Sequence, residues 1–234
     1  MSFLEKLRSG LIVSCQASPT SPLRDSSIMA AMARAAQAGG AAGIRANGPE
    51  DIRAIRSAVS LPIIGIYKKV LPGYEVYITP TLEAAQEVVE AGSDTLAVDA
   101  TLRPHPSGLM PQDFIKACKR KFGLPVMADI STLKEALAAA EAGADLVATT
   151  LVGYTPYTLQ RPRPDYELIA QLVEQAPVPT VVEGHVHSPE QARRALELGA
   201  FAIVVGTAIT QPDWITARYV ESLKTLSSSS AAGD

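Results

Sequence analysis

One phrase occurs four times along this chain: an Ala-rich amphipathic stretch ends at a Gly and turns at once into a short apolar run. It reads AQAGGAAGIRA (36–46), EAGSDTLAVDA (90–100), EAGADLVATT (141–150) and ELGAFAIVVG (197–206). Its glycines at 39, 92, 143 and 199 lie 53, 51 and 56 residues apart. A helix that stops at Gly and passes straight into a strand is the work of a left-handed C-cap in an α/β loop. A period near 50 residues is too long for one βα unit and fits two, so four phrases predict eight strands.

The segments between supply them. Short apolar runs fall at 10–16, 42–45, 61–68, 95–100, 124–130, 145–150, 179–184 and 201–206. None alternates cleanly, as expected of strands covered on both faces. Helical stretches at 27–38, 49–59, 82–91, 111–121, 132–142, 165–175, 189–198 and 212–225 separate them. Ser131 ahead of Thr132–Glu135 and Ser188 ahead of Pro189 read as capping signals. Few aromatics (5 %) among 47 % apolar residues suit Ala-rich helices around buried parallel strands. Length alone leaves a doubly wound sheet open, but eight strand–helix units in 234 residues predict a closed (β/α)8 TIM barrel. It is expected to form one domain, residues 1–226, with a low-complexity tail, 227–234, that frays.

A balance of 21 Lys and Arg against 24 Asp and Glu argues against a nucleic-acid binder. No apolar run reaches the length of a membrane-spanning helix, and the opening apolar stretch is too short for a signal peptide. Cys15 and Cys118 are too far apart for a disulfide framework or a zinc motif, which suggests a reducing cytoplasm.

The active site of such a barrel lies at the C-terminal ends of its strands. Those ends carry Gln16, Arg45, Lys68, Asp99, Asp129, Thr149 with Thr150, Glu183 and Gly206. A structural salt bridge, such as Arg45 with Asp99, is the competing explanation for polar groups there. Lys68 closes an apolar run, where burial would lower its pKa toward that of a general base. Glu183 could reach the same cavity and titrate with it as a coupled pair, and a Schiff-base role for the lysine is open. Gly184, Gly206 and Thr207 follow strands seven and eight, where barrels of this kind cradle phosphate. His185 and His187 form an H-x-H pair with no third ligand at suitable spacing, so no metal is expected. The segment 150–167 is long enough to serve as a lid.

The runs GLIVSCQ, GGAAGIRA, PIIGIYKK, VYITPT, LAVDAT, MADIST, ATTLVGYTPYT, VVEGHVHSP and VVGTAIT follow one another through residues 8 to 224. In this the chain resembles the N-acetylmannosamine-6-phosphate 2-epimerase family of sialic acid catabolism. The resemblance implies a barrel of the ribulose-phosphate-binding type, a phosphorylated N-acetylhexosamine as substrate, no cofactor and a homodimer. By position it makes Lys68 and Glu183 catalytic, and Gln16, Arg45, Asp129, Tyr154 and Thr155 substrate-binding. It assigns phosphate to Gly184, Gly206 and Thr207. The chain departs from the family in having His185 and Gln211 where an Arg is common. Another phosphosugar or indole-pathway barrel enzyme, or a non-catalytic phosphosugar sensor, remains open at this stage.

Overall fold

The computed structural model describes residues 3–229. Eight parallel strands close into a barrel in chain order: β1 Leu11–Cys15, β2 Gly43–Asn47, β3 Ile63–Ile66, β4 Thr95–Asp99, β5 Val126–Asp129, β6 Leu146–Ala148, β7 Thr180–Glu183 and β8 Ala202–Val205. β8 pairs with β1 to complete the circle. The helices are α1 Phe3–Leu7, α2 Ser26–Ala38, α3 Pro49–Ala58, α4 Leu82–Glu90, α5 Pro111–Phe122, α6 Leu133–Glu141, α7 Tyr166–Gln175, α8 Pro189–Glu197, α9 Thr207–Thr210 and α10 Pro212–Ser229. Each expected strand and helix is present within a few residues. The two short helices, α1 and α9, had no separate signal in the sequence. Of the tail, residues 227–229 continue α10, and 230–234 lie outside the described residues.

The repeated Gly works as its position predicts, with one shift. Gly92, Gly143 and Gly199 take φ of +97°, +95° and +98°, whereas in the first phrase Gly40 (φ +88°) turns the chain, one residue after Gly39. After each turn the next residue's N–H returns to the helix: Ala41 to Ala36, Ser93 to Val88, Ala144 to Ala139 and Ala200 to Ala195. That bond satisfies a carbonyl the helix end leaves open. At the other end of α6 the N-cap is Thr132 rather than Ser131. Thr132 and Glu135 form a reciprocal capping box, and Ser131 donates its N–H and hydroxyl to the same carboxylate. Ser188 caps α8 as expected, accepting from Gln191.

Side chains alternate in and out along each strand, and this decides which polar groups meet. Val13, Ile44, Ile63, Leu96, Val98 and Ala128 face outward into the layer shared with the helices. Ile12, Ile64, Ala97, Met127 and Val181 face inward, and Leu7 of α1 packs on this inner cluster at the N-terminal end. Two residues along from these inward positions stand Ser14, Asp99, Asp129 and Glu183, and Arg45 is in register with Ser14. The barrel thus fills its lower interior with apolar side chains and delivers its polar ones to the upper end. β3 stops at Ile66, two residues short of the expected end. Beyond it the Lys68 N–H is taken by Asn47 Oδ1 at 2.8 Å, and Lys68 forms an isolated antiparallel bridge to Ile78. Gly65, which would face the helices, is required by space: a Cβ there would stand 2.5 Å from Val88 Cγ1 and 2.7 Å from Ser93 Cβ.

Candidate active site

Arg45 heads the largest fully buried side chains of the protein. Its guanidinium meets Asp129 through two bonds, of 3.1 and 2.5 Å, and Glu183 Oε2 at 2.5 Å. Thr150 Oγ1 adds a bond to Asp129 at 2.7 Å. Burial alone would lower the Arg45 pKa, but Asp129 and Glu183 outweigh it, so the group is held firmly charged. One cation therefore serves two carboxylates. Glu183 is pushed up to about 7 by burial and by the Asp129 charge, against the pull of Arg45 and Lys68. Asp129 holds Arg45 through two bonds, and Glu183 holds it through one. The Arg45–Asp99 bridge, the competing explanation for these polar groups, is not formed. Asp99 is instead bound by Thr101 and by Arg103 at 2.6 Å, both supplied by its own loop.

Lys68 faces this cluster across a cavity of about 290 Å³ at the C-terminal mouth. It is accessible to water through the open mouth, although protein crowds it on most sides. Burial, and then the charge of Arg45, lower its pKa; Glu183 and Asp129 oppose this without reversing it. Among the described residues no carboxylate stands within ion-pair distance of its amine. Lys69 diverges to Glu87, with Nζ–Oε1 at 2.7 Å. A carboxylate raised to about 7 and a depressed amine in one cavity are groups poised to give and take protons.

The cavity gathers most of the expected residues: Gln16, Arg45, Lys68, Tyr154, Glu183, Gly184, Gly206 and Thr207 line it. Gln16 Nε2 donates to Ser14 Oγ at 2.8 Å, and its carbonyl oxygen is buried without a partner. Gly184 stands at φ +97°, a conformation that side chains rarely adopt. Asp129 and Thr155 do not reach the lining. Asp129 is wholly buried behind Arg45. Thr155 is buried inside the loop after β6, bonded to Ser131 and Thr158 at 3.2 and 2.6 Å. Tyr157 donates to Glu135 at 2.5 Å, and Arg163 donates to the carbonyls of Gly153 and Leu159. These ties hold Tyr154 over the mouth, its ring stacked on His185 at 5.2 Å.

Tyr77 also lines the cavity and had not been singled out, although the run VYITPT that contains it had. Its segment folds back against residues 67–69, with Lys69 N–H bonded to Tyr77 O and Thr79 N–H to Tyr67 O. The apolar–polar alternation of that run is the signal for such a ribbon. Burial raises the Tyr77 phenol, which keeps it a donor. Burial also pushes the Cys15 and Cys118 thiols up to about 12, so both are inert core groups. Among the described residues no helix is long and apolar enough to cross a membrane.

Comparison with known proteins places this geometry. Residues 29–225 match the model of a family described as "Putative N-acetylmannosamine-6-phosphate epimerase". A protein of Caldanaerobacter subterraneus subsp. tengcongensis, named "Putative N-acetylmannosamine-6-phosphate 2-epimerase", is 52 % identical over 96 % of this chain and 95 % of its own. One of the same name from Thermosynechococcus vestitus is 50 % identical over 96 % and 97 %. The solved structure of the N-acetylmannosamine-6-phosphate 2-epimerase from Clostridium perfringens superposes with a TM-score of 0.90, at 44 % identity over 94 % of this chain and 96 % of that one. A thiamine phosphate pyrophosphorylase from Pyrococcus furiosus shares the fold alone, at 19 % identity and a TM-score of 0.59.

Proposed function

The chain belongs to the N-acetylmannosamine-6-phosphate epimerase family, and from that premise we propose that it interconverts N-acetylmannosamine 6-phosphate and N-acetylglucosamine 6-phosphate. The reaction proceeds by removal and return of the proton at C2 of the open-chain sugar, as an isomerase step of amino-sugar (sialic acid) catabolism that uses no redox cofactor. The observation that carries this reading is the Lys68 amine, outside any ion pair among the described residues, in one cavity with Glu183, which Arg45 holds.

Lys68, as the neutral amine, takes the C2 proton and becomes an ammonium. The electron pair left at C2 delocalises onto O1, and preorganised donors must offset the charge that builds there. Gln16 and Tyr77 are lining groups able to donate to it. Rotation of the intermediate presents its opposite face to the Lys68 ammonium, which returns a proton to C2, regains the neutral amine and gives the epimer. Glu183, titrating near 7 and fixed by Arg45, moves the proton that opens and closes the sugar ring. Asp129 acts through Arg45, which it holds in place. Gly184, Gly206 and Thr207 offer backbone donors to the 6-phosphate. Tyr154, and the loop that Thr155 anchors, cover the bound sugar. Residues 1–226 work as one domain, and the exposed Tyr219, Val220 and Leu223 of α10 support a homodimer.

A coupled assay that detects N-acetylglucosamine 6-phosphate formed from N-acetylmannosamine 6-phosphate tests the reading. Turnover is expected with the phosphorylated sugar, and at least about a hundredfold lower kcat/KM with N-acetylmannosamine, since charged hydrogen bonds each contribute roughly 1.5–3 kcal/mol. Binding without turnover would instead mark a sensor.

A further inference from the structure

The proposed ligand brings a phosphate monoester with about −1.5 to −2 charges at neutral pH, yet the wall that would meet it holds no guanidinium or ammonium. Among the described cavity-lining residues the arginine and lysine side chains are those of Arg45 and Lys68. Arg45 is taken by Asp129 and Glu183, and Lys68, two residues past β3, is the neutral base of the proposed reaction. Two other lining groups can become cations: His185 and His187.

Both belong to the loop that follows β7 and are held by aromatic rings. His185 is stacked between Tyr154, at 5.2 Å and 16°, and the edge of His187, at 6.0 Å and 75°. His187 in turn lies 4.7 Å from Trp214 of α10, over which Arg218 stacks. His185 takes φ +57°, and its Nε2 is buried without a hydrogen-bond partner. A left-handed, non-Gly position and an unpartnered buried nitrogen both cost free energy, and such costs concentrate at ligand sites.

We propose that His185 and His187 are the charge partners of the substrate's phosphate, each imidazole taking a proton from solvent as the dianion binds. The proposal rests on the reading of the ligand as a phosphosugar. The surroundings favour neutral rings in the free protein. Burial, then Arg163 and His187, lower the pKa of His185; burial, then Arg218, lower that of His187. Facing His185 are Glu183 of β7, whose charge Arg45 takes, and Tyr154, Arg163 and Asp165 of the loop between β6 and α7. Asp165 is occupied by Arg161 and by the cap of α7. Facing His187 are Arg218 of α10 and Gln191 of α8, which accepts the His187 backbone N–H. With arginines behind both rings, protonation requires the dianion in front. The site is then selective for phosphate and weakens as pH rises.

KM for N-acetylmannosamine 6-phosphate, measured from about pH 7 to 9 where the phosphate is fully dianionic, tests this. Wild-type KM should rise by up to about tenfold per pH unit for each proton taken up. His185→Asn, which suits a positive φ but cannot become a cation, and His187→Gln should each raise KM at pH 7 and flatten the rise. His185→Arg should keep KM low at pH 7 and reduce its rise with pH to that of the one proton His187 still takes up. Dividing each variant's KM by the wild-type value at the same pH removes the titration of Lys68 and Glu183, which all share. A wild-type KM that stays level with pH, or variants whose KM matches wild type throughout, would overturn the proposal. If wild type turns over the phosphosugar at no pH, the functional reading itself fails; turnover with a pH-indifferent KM sinks only this inference.

Discussion

Lys68→Ala should lower kcat for epimerisation by about 10²–10⁴-fold, the usual contribution of a positioned general base, with the fold intact. The amine has no ion-pair partner to lose, and its stem lies at the open mouth rather than in the core. Lys68→Arg should be as inactive as Lys68→Ala, because a guanidinium keeps its proton at any accessible pH. In the wild type, activity should rise with pH as the amine gives up its proton, and the midpoint should lie below the ordinary 10.5 of lysine because burial and Arg45 depress it. Lys68 and Glu183 share one field, so the limbs of the profile belong to the pair rather than to either group. A pH–rate profile of kcat at saturating substrate checks the direction. Retention of more than about a tenth of wild-type kcat in Lys68→Ala would remove the lysine from the reaction.

Asp129→Ala should destabilise the protein by about 3–5 kcal/mol, because it leaves Arg45 buried with only Glu183 as partner. Chemical denaturation with both proteins measures it. The same change frees Arg45 to bind Glu183 alone, which should hold that carboxyl further down and cost activity as well. The double variant Arg45→Met, Asp129→Leu should recover much of the stability, since apolar residues of similar volume often replace a buried ion pair without loss. It should not recover turnover, because Glu183 then has no cation to orient it. Stability regained without activity would separate the structural work of the pair from its work on Glu183. A loss below about 1 kcal/mol in Asp129→Ala would contradict a tightly closed pair.

The architecture was legible because it rests on local chemistry repeated four times. Gly92, Gly143 and Gly199 each end a helix in a conformation that favours glycine, and the strand that follows is named by its apolar run. Polar groups at strand ends were legible for the same reason: period-two alternation puts Arg45, Asp129 and Glu183 inside once the barrel closes. Their pairing was not. Arg45 and Asp129 are 84 positions apart, and nothing local distinguishes Asp129 from Asp99 as its partner. Asp99 was taken by Arg103, four residues along its own loop, a contact that depends on how that loop folds. Thr155 is substrate-binding only by the resemblance, and its hydroxyl ties the loop to Ser131 rather than facing the cavity. Tyr77 was hidden because its place depends on a ribbon formed after β3 had ended.

The central claim, that Lys68 takes a proton from C2 and that a proton from solvent replaces it, is tested most directly in D₂O. The amine is open to water at the mouth and exchanges its protons there. N-acetylglucosamine 6-phosphate formed from N-acetylmannosamine 6-phosphate by the wild type should carry deuterium at C2 by NMR, and Lys68→Ala should introduce none over the same time. Product that forms at the wild-type rate with protium retained at C2 would contradict the account.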